Sequence, residues 1–300
     1  MPIARANGIQ IAYESFGDST APAIVMMRGV GTQLVHWPRE LVSGLVQMNL
    51  RVVVFDNRDC GLTTHFDDRP TPNMGVIMAA LGHGEVLPPV YRLDDMALDL
   101  IGLLDALHIR RAHLVGLSLG GYVGQILAAD SGERLHSFIQ VMSSPLVPLP
   151  QKMHSRVVEA LLTPPKGQGL RDEEDHALVV ARASTGSGYP IEEDHFRNTF
   201  RLARSRGVSP GADNRQVLAA MAAGDRSAYC RRIRVPTLVV HGTEDPMVPF
   251  NEGRLTAELI PAAHFAPIDG LGHELTRGFA LTLVPLLRSF VARISRRDAP

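Results

Sequence analysis

A serine flanked by glycines is the feature of this sequence that most directly suggests chemistry. Gly116, Ser118 and Gly120 form the pattern G-x-S-x-G, between an apolar run and a segment of helical character. A serine at a very tight strand-to-helix turn needs neighbours without a Cβ two residues away on each side. Such a turn exposes the hydroxyl and directs the N-terminus of the next helix at the reacting oxygen. The alternative is a turn without chemistry; the context favours Ser118 as a nucleophile.

A serine hydroxyl is a weak nucleophile and needs a base that is oriented by a third group. With this kind of turn, the expected chain order is serine, acid, histidine. Asp245 lies in a turn just after the apolar run TLVVH, and His273 lies in a later loop flanked by glycine. We expect Asp245 to orient His273 as the base. Glu244 is the alternative acid, although the Asp-Pro turn favours Asp245, and we expect His241 to pack or hydrogen-bond at the strand end.

Acyl transfer also needs hydrogen-bond donors for the negatively charged oxygen that forms at the carbonyl group. One expected donor is the backbone N–H of Leu119, the residue after the nucleophile. The other belongs to the loop after the third strand, where Val30 stands between Gly29 and Gly31. Because glycines allow close approach of the backbone, we expect Val30 and Leu119 to form an oxyanion hole.

The elements that must position these residues alternate along the chain. Short apolar runs interleaved with segments of helical period predict a parallel sheet covered by helices on both faces. The predicted strands are 9–14, 23–27, 51–55, 112–116, 138–142, 237–241 and 263–268, and the clearest helices are 94–107 and 120–129. Prolines and charged helical segments, 171–182 and 191–206, then interrupt the pattern. We therefore interpret residues 1–143 and 230–300 as the core and 144–229 as an inserted helical cap.

A long irregular segment, residues 67–91, is expected to form the substrate pocket together with the cap. The segment is longer than an ordinary connection, and long loops of this kind often carry function. The candidate lining residues are Met74, Met78, Leu81 and Met153. A methionine at helical spacing is more often part of a core, so plain packing is the alternative interpretation.

Charge and hydropathy limit the classes of binding partner that the sequence favours. Lys and Arg total 30 and Asp and Glu total 31, a net charge of -1, which argues against a nucleic-acid partner and fits a small, largely neutral substrate. No apolar run reaches the roughly 18 residues that span a bilayer. The N-terminus lacks a basic segment followed by an apolar one. We expect no membrane partner, no secretion signal and a cytoplasmic location.

The number and spacing of the cysteines indicate the cellular compartment and whether a metal site is present. The only cysteines, Cys60 and Cys230, are typical of a reduced cytosolic protein, and a single disulfide between them remains possible. No C-x-x-C motif, no His/Cys ligand spacing and no phosphate-binding loop occurs, so we expect no metal and no cofactor. The sequence leaves open whether the protein is a monomer or a homodimer.

In combination, these residues resemble the α/β-hydrolase superfamily over nearly the whole chain. The segments that carry the resemblance, in the order of the family, are NGIQIAYESFG, RGVGTQLVHWP, FDNRDCGLTTHF, GLSLGGYVGQ, HGTEDPMVP and DGLGHELTR. The second, third and last segments are most similar to the esterase branch that contains aclacinomycin methylesterase. The resemblance implies an α/β-hydrolase fold with a mostly parallel sheet of eight-stranded type, flanking helices and an inserted helical cap. It also implies the roles expected above for Ser118, Asp245, His273, Val30 and Leu119.

Two further segments follow or leave the family pattern. Asp56, Arg58 and Gly61 match the D-x-R-x-x-G turn of the family, which we interpret as mainly structural. Arg28 stands where many relatives carry histidine, and it is expected either to hydrogen-bond the loop or to be solvated. This departure and the long segment 67–91 bear on the shape of the substrate.

The serine nucleophile excludes the branches of the superfamily that use aspartate, the haloalkane dehalogenases and epoxide hydrolases. We expect a serine hydrolase that cleaves a small carboxylic ester, of methyl or lactone type, through an acyl-enzyme. The alternatives are a C–C bond hydrolase, a cofactor-free haloperoxidase-like enzyme and a non-catalytic homologue that binds a small molecule. The acidic runs 173–175 and 192–194 resemble an amine site of the prolyl-iminopeptidase branch, but we interpret them as solvated helix faces.

Overall fold

An eight-stranded sheet lies at the centre of the protein, a computed structural model of which describes residues 1–147 and 149–297. The strands are β1 (Ile3–Ala6), β2 (Ile9–Phe16), β3 (Ala23–Met27), β4 (Arg51–Phe55), β5 (Ala112–Leu117), β6 (Leu135–Val141), β7 (Thr237–Gly242) and β8 (His264–Ile268). Their order in the sheet is β1-β2-β4-β3-β5-β6-β7-β8. β2 pairs antiparallel with β1 and β4, and the remaining neighbours are parallel. Residues 298–300 of the predicted core lie outside the described residues.

Helices cover both faces of the sheet, as predicted. They are α1 (Arg39–Val46), α2 (Met74–Gly82), α3 (Leu93–Ala106), α4 (Leu119–Asp130), α5 (Ser155–Leu162), α6 (Leu170–Ser184), α7 (Glu193–Arg206), α8 (Ala212–Ala222), α9 (Ser227–Arg232), α10 (Phe250–Leu259) and α11 (Arg277–Arg297). Alternate residues of a strand point to opposite faces. Val53 and Phe55 of β4 therefore join one apolar core with α3 and α4, whereas Val52 and Val54 join a second core with α1 and α11. Burial on both faces explains why these strands are continuous apolar runs.

Five helices, α5 to α9, stand between β6 and β7 in the chain, and we call them the inserted helices. A third apolar cluster joins them to α2. Its buried members are Ile77, Met78, Leu81, Leu218 and Met221. Contacts between α2 and both α5 and α8 accompany this cluster. Of the inserted helices, α5 and α8 thus pack on α2, within the segment 67–91 that was predicted to be irregular.

The structure corrects the prediction for residues 67–91, which contain the helix α2. Asn73 caps this helix, because its side chain accepts a hydrogen bond from the N–H of Val76 at 3.0 Å. The strand β1 was also missed. Asn7 and Gly8, both with positive φ (47° and 78°), form the tight turn that joins β1 to β2. Both the asparagine cap and the Asn-Gly turn were signals present in the sequence.

A second correction concerns the acidic run 173–175. Its middle residue, Glu174, is buried rather than solvated, with 2% of its surface exposed. Arg201 donates two hydrogen bonds to its carboxylate at 2.9 and 3.0 Å, and Arg197 donates one at 3.2 Å. These contacts join α6 to α7, so the carboxylate is occupied by structural partners.

Three further expectations concern a disulfide, a metal site and a membrane-spanning helix. Cys60 and Cys230 are both buried and free, so no disulfide joins them. Within the described residues, no group of three or more His, Cys, Asp or Glu side chains is placed to hold a metal ion. None of the described helices is both long and apolar enough to cross a membrane.

A buried ion pair fixes the turn after β4 against α3. Arg58 binds the carboxylate of Asp99 with two hydrogen bonds of 2.7 Å, and both side chains are buried. The guanidinium also lies 4.9 Å from the centre of the Tyr91 ring. This arrangement agrees with the structural interpretation of the D-x-R-x-x-G turn.

The variant Asp99→Asn is expected to destabilise the protein strongly, because it leaves the buried charge of Arg58 uncompensated. We expect the free energy of unfolding to fall by about 3 kcal/mol, measured by urea denaturation. The control is Asp105→Asn, since Asp105 lies on the same helix and pairs with Arg134 at the surface. We expect a loss of about 1 kcal/mol or less for the control. Equal losses in the two variants would contradict the prediction.

Candidate active site

The chain bends sharply at Ser118, between β5 and α4. Ser118 has φ 53° and ψ −114°, a region that side chains rarely adopt. A Cβ on Gly116 would overlap the carbonyl oxygen of Gly120, and a Cβ on Gly120 would overlap the carbonyl oxygen of Met27. The glycines on either side are therefore required by close backbone contact, which is the steric reason given for the G-x-S-x-G pattern. The turn leaves Ser118 half-buried at the carboxyl edge of the sheet.

The structure brings Ser118, His273 and Asp245 together. Nε2 of His273 lies 3.0 Å from Oγ of Ser118, and Nδ1 lies 2.7 Å from Oδ2 of Asp245. His273 stands in the loop after β8, and Asp245 stands in the turn after β7. The three side chains form one chain of hydrogen bonds from a carboxylate to a hydroxyl. Such a chain can transfer the hydroxyl proton to the imidazole.

Asp245 is held from the side opposite His273. Its Oδ1 accepts hydrogen bonds from the backbone N–H groups of Met247 at 2.9 Å and Val248 at 2.8 Å. His241, fully buried, lies 3.0 Å from the carbonyl oxygen of Val248 through Nε2, as expected for a histidine at the strand end. The rival acid, Glu244, is exposed and instead accepts hydrogen bonds from Ser187. Asp245 is thus the acid in contact with the imidazole.

Burial and charge act in opposite directions on this pair. Desolvation lowers the pKa of His273, but the negative charge of Asp245 and the hydrogen bond to it outweigh burial, so the pKa of His273 is raised. Desolvation likewise raises the pKa of Asp245, but the charge of His273, the hydrogen bonds from His273 and Val248 and the charge of His241 together outweigh it, so the pKa of Asp245 is lowered. Glu274 raises the pKa of His273 further, and Arg28 opposes this. The pair therefore favours a carboxylate next to an imidazole that accepts a proton readily.

Two backbone N–H groups beside Ser118 have no hydrogen-bond partner among the described residues, those of Val30 and Leu119. Leu119 is the first residue of α4, where N–H groups have no acceptor within the helix. Val30 belongs to the loop after β3. A Cβ on Gly29 of this loop would lie 3.2 Å from Cβ of Ser118, so the loop is in contact with the serine. Both expected donors are thus unpaired among the described residues: Leu119 directly follows Ser118, and Val30 directly follows the glycine that packs against it.

Arg28 packs inside the same loop. It is buried, its Nε donates a hydrogen bond to Oγ1 of Thr32 at 3.3 Å, and its guanidinium lies 5.0 Å from the centre of the Trp37 ring. Burial lowers the pKa of Arg28 to about 10, and the charge of Glu274 partly offsets this. Of the two expectations for Arg28, the structure agrees with the hydrogen bond to the loop.

The expected pocket residues lie in one cluster. Met78 and Leu81 are buried in the apolar cluster between α2 and the inserted helices, and Met74 and Met153 are partly buried against it. The structure thus brings all four together. Both the pocket and the packing interpretations are compatible with this arrangement.

One contact between the inserted helices and the loop after β3 was not predicted from the sequence. Oε1 of Gln216, on α8, accepts a hydrogen bond from the N–H of Gly31 at 2.9 Å. The carboxylate of Asp213, one turn earlier, lies against the same glycine, where a Cβ would overlap it. Since 185 residues separate Gly31 from Gln216, no local pattern signals this contact.

Comparison with known proteins assigns the chain to a family. A family model of the alpha/beta hydrolase fold matches residues 22–275. Rhodomycin D methylesterase DauP from Streptomyces sp. (strain C5) is 27% identical, covering 87% of this chain and 88% of its own. 3-oxoadipate enol-lactonase 2 from Acinetobacter baylyi (strain ATCC 33305 / BD413 / ADP1) is 24% identical, with 88% and 90% covered. The match to a methylesterase agrees with the esterase branch that the sequence motifs resemble.

A solved structure shows the same fold. The enol-lactonase from Burkholderia xenovorans LB400 superposes with a TM-score of 0.71 over 97% of this chain and 100% of that chain, at 24% identity. This likeness concerns the arrangement of strands and helices. Because the family model spans most of the sequence, the chain belongs to the α/β-hydrolase fold family.

Proposed function

We propose that this α/β-fold carboxylic ester hydrolase cleaves its substrate through a covalent acyl-enzyme on Ser118. The observation that carries the proposal is the chain of hydrogen bonds from Asp245 through His273 to Ser118, with distances of 2.7 and 3.0 Å. The unpaired N–H groups of Val30 and Leu119 lie beside it and support the same reaction. Nucleophile, base, orienting acid and oxyanion donors are the parts that acyl transfer requires.

The first half of the reaction acylates the enzyme. Oγ of Ser118 attacks the carbonyl carbon of the ester while Nε2 of His273 takes the hydroxyl proton. The carbonyl oxygen becomes negatively charged, and the N–H groups of Val30 and Leu119 donate hydrogen bonds to it. Asp245 keeps the imidazole oriented and stabilises its positive charge. When the C–O bond to the alcohol breaks, His273 gives its proton to the departing oxygen.

The second half releases the acid. Nε2 of His273 takes a proton from water, which attacks the acyl carbon, and the same two N–H groups hold the second oxyanion. The bond to Oγ then breaks, and His273 returns the proton to Ser118. All proton transfers and all charge stabilisation come from residues of this chain, so the proposed reaction calls for no metal and no cofactor.

The proposed substrate is a small-molecule carboxylic ester of methyl or lactone type. A methylesterase and an enol-lactonase are among the relatives, which supports both types. We propose that the inserted helices act as a cap and that Met74, Met78, Leu81 and Met153 line the apolar part of the pocket, since they share one cluster. The balance of 30 basic and 31 acidic residues supports a substrate that is neither a nucleic acid nor a membrane.

The variant Ser118→Ala is expected to lose activity, because it removes the nucleophile while leaving the fold intact. We expect kcat for a p-nitrophenyl ester to fall by roughly 10⁴- to 10⁶-fold. A fluorophosphonate probe should phosphonylate the wild-type protein at Ser118 with loss of fluoride, located by peptide mass spectrometry. The control Ser187→Ala, an exposed serine that binds Glu244, should keep both activity and labelling. Full activity of Ser118→Ala would show that Ser118 is not the nucleophile, whereas no labelling of the folded wild type would favour the non-catalytic binding homologue.

The raised pKa of His273 predicts the acid limb of the pH profile. The reaction needs neutral imidazole, so kcat/KM should fall as the pH drops through this pKa, with its midpoint above the ordinary value of 6.5. In Asp245→Asn the largest charge that raises the pKa of His273 is gone, and burial opposes only the weaker effect of Glu274, so the midpoint should move to lower pH. We also expect kcat to fall by roughly 10⁴-fold, because the imidazole loses its orientation.

The matched control for this prediction is Glu244→Gln, which removes the neighbouring carboxylate without touching His273. Its kcat and the midpoint of its pH profile should equal those of the wild type. Profiles of kcat/KM against pH for the three proteins measure both effects. A shift in Glu244→Gln together with an unchanged Asp245→Asn would show that Asp245 is not the acid.

A further inference from the structure

Gln216 joins the inserted helices to the loop that carries Val30. Its Oε1 accepts a hydrogen bond from Gly31 at 2.9 Å, and its Nε2 donates to the carbonyl oxygen of Arg58 at 2.8 Å and to Sγ of Cys60 at 3.2 Å. The side chain is fully buried. One amide of α8 therefore links the loop after β3 to the turn after β4, and both its oxygen and its nitrogen are used.

The loop needs such a link because its own residues constrain it weakly. Val30 stands between two glycines, and Gly31 has a φ of 66°, a conformation that glycine adopts without strain. The described contacts within the loop are those around Thr32, whose Oγ1 donates to the carbonyl oxygen of Gly29 at 2.9 Å. Among the described residues, the N–H of Gly31 is held in its direction only by the hydrogen bond that it donates to Gln216.

The peptide groups that carry the N–H of Val30 and the N–H of Gly31 meet at the Cα of Val30. If the N–H of Gly31 turned toward the site, ψ of Val30 and φ of Gly31 would change, and the short loop, whose ends are fixed, would have to shift the neighbouring peptide group as well. With Gly31 bound to Gln216, the N–H of Val30 is left unpaired beside Ser118. A donor fixed before the reaction stabilises the oxyanion better than one that must first reorient.

We propose that Gln216 is a positioning residue that holds the loop after β3 so that the Val30 N–H donates to the oxyanion. This inference rests on the proposed acyl transfer at Ser118. Gln216 acts through Gly31 and touches no reacting atom. Through Gln216, the helix α8 would therefore help to stabilise the transition state, in addition to its proposed role in the cap.

The variant Gln216→Met tests the proposal, because methionine has a similar length but offers the N–H of Gly31 only a weakly accepting thioether in place of an amide oxygen. Removing an oxyanion donor outright costs roughly 10²- to 10³-fold in kcat. A donor that is displaced but not removed should cost less, so we expect kcat to fall about 10- to 100-fold. KM should change by less than about 3-fold, and the midpoint of the acid limb should stay in place because His273 is untouched.

The matched control is Gln125→Met. Gln125 is a fully buried glutamine on α4 that donates to Gln140 at 2.8 Å and Ser144 at 3.1 Å and accepts from Arg226 at 3.2 Å. It has as many hydrogen bonds as Gln216 but none to the loop after β3. We expect the two variants to unfold at similar urea concentrations, with wild-type kcat in the control alone.

A trifluoromethyl ketone supplies a second measurement, since its adduct with Ser118 carries an oxyanion. Its affinity should fall in Gln216→Met by the same factor as kcat/KM and stay unchanged in Gln125→Met. Equal kcat in the two variants, in an enzyme that needs Ser118, would overturn the positioning role alone. An enzyme that does not need Ser118 would overturn the proposed function itself.

Discussion

The close approach of α4 to the end of β3 is the constraint on which the rest of the site depends. The backbone of Gly120 touches the carbonyl oxygen of Met27, and Gly29 touches the side chain of Ser118. A Cβ on Gly120 would overlap the oxygen of Met27, and a Cβ on Gly29 would lie 3.2 Å from Cβ of Ser118, closer than most side-chain contacts. This approach brings the start of α4 and the loop after β3 together at Ser118, whose φ is 53°. The strain is tolerated because the sheet and α4 fix both ends of the turn.

Much of this arrangement could be predicted from the sequence because its signals are local. A parallel strand buried on both faces must be a continuous apolar run, so strands such as β3, β4 and β7 were recognised at or near their observed bounds. The tight turn at Ser118 requires Gly116 and Gly120, and both glycines are visible in the sequence. Chain order then selected Asp245 and His273, whose positions follow the last two strands. Glycine, proline and strand ends carry this information without any knowledge of distant contacts.

The rest could not be predicted because it depends on residues brought together only by folding. Glu174 belongs to an acidic run that is typical of a solvated helix face. It is buried because folding packs it against Arg197 and Arg201. The loop after β3 shows its glycines in the sequence but not the side chain of α8 that fixes it. The missed strand β1 and helix α2 are different. Their turn and cap residues, Asn7 and Asn73, were visible, and tertiary packing determined that they would be used.

The inserted helices are hydrogen-bonded to two of the loops that adjoin Ser118. At one, the carbonyl oxygen of Ser184, at the end of α6, accepts a hydrogen bond from the backbone N–H of His273 at 2.7 Å. At the other, Gln216 of α8 holds Gly31. His273 and the loop after β3 are therefore both hydrogen-bonded to the same insertion, while Ser118 stands at the end of β5. A displacement of α6 or α8 would alter the positions of His273 and Gly31 relative to Ser118, so under the proposed function the insertion also sets the geometry of the chemistry.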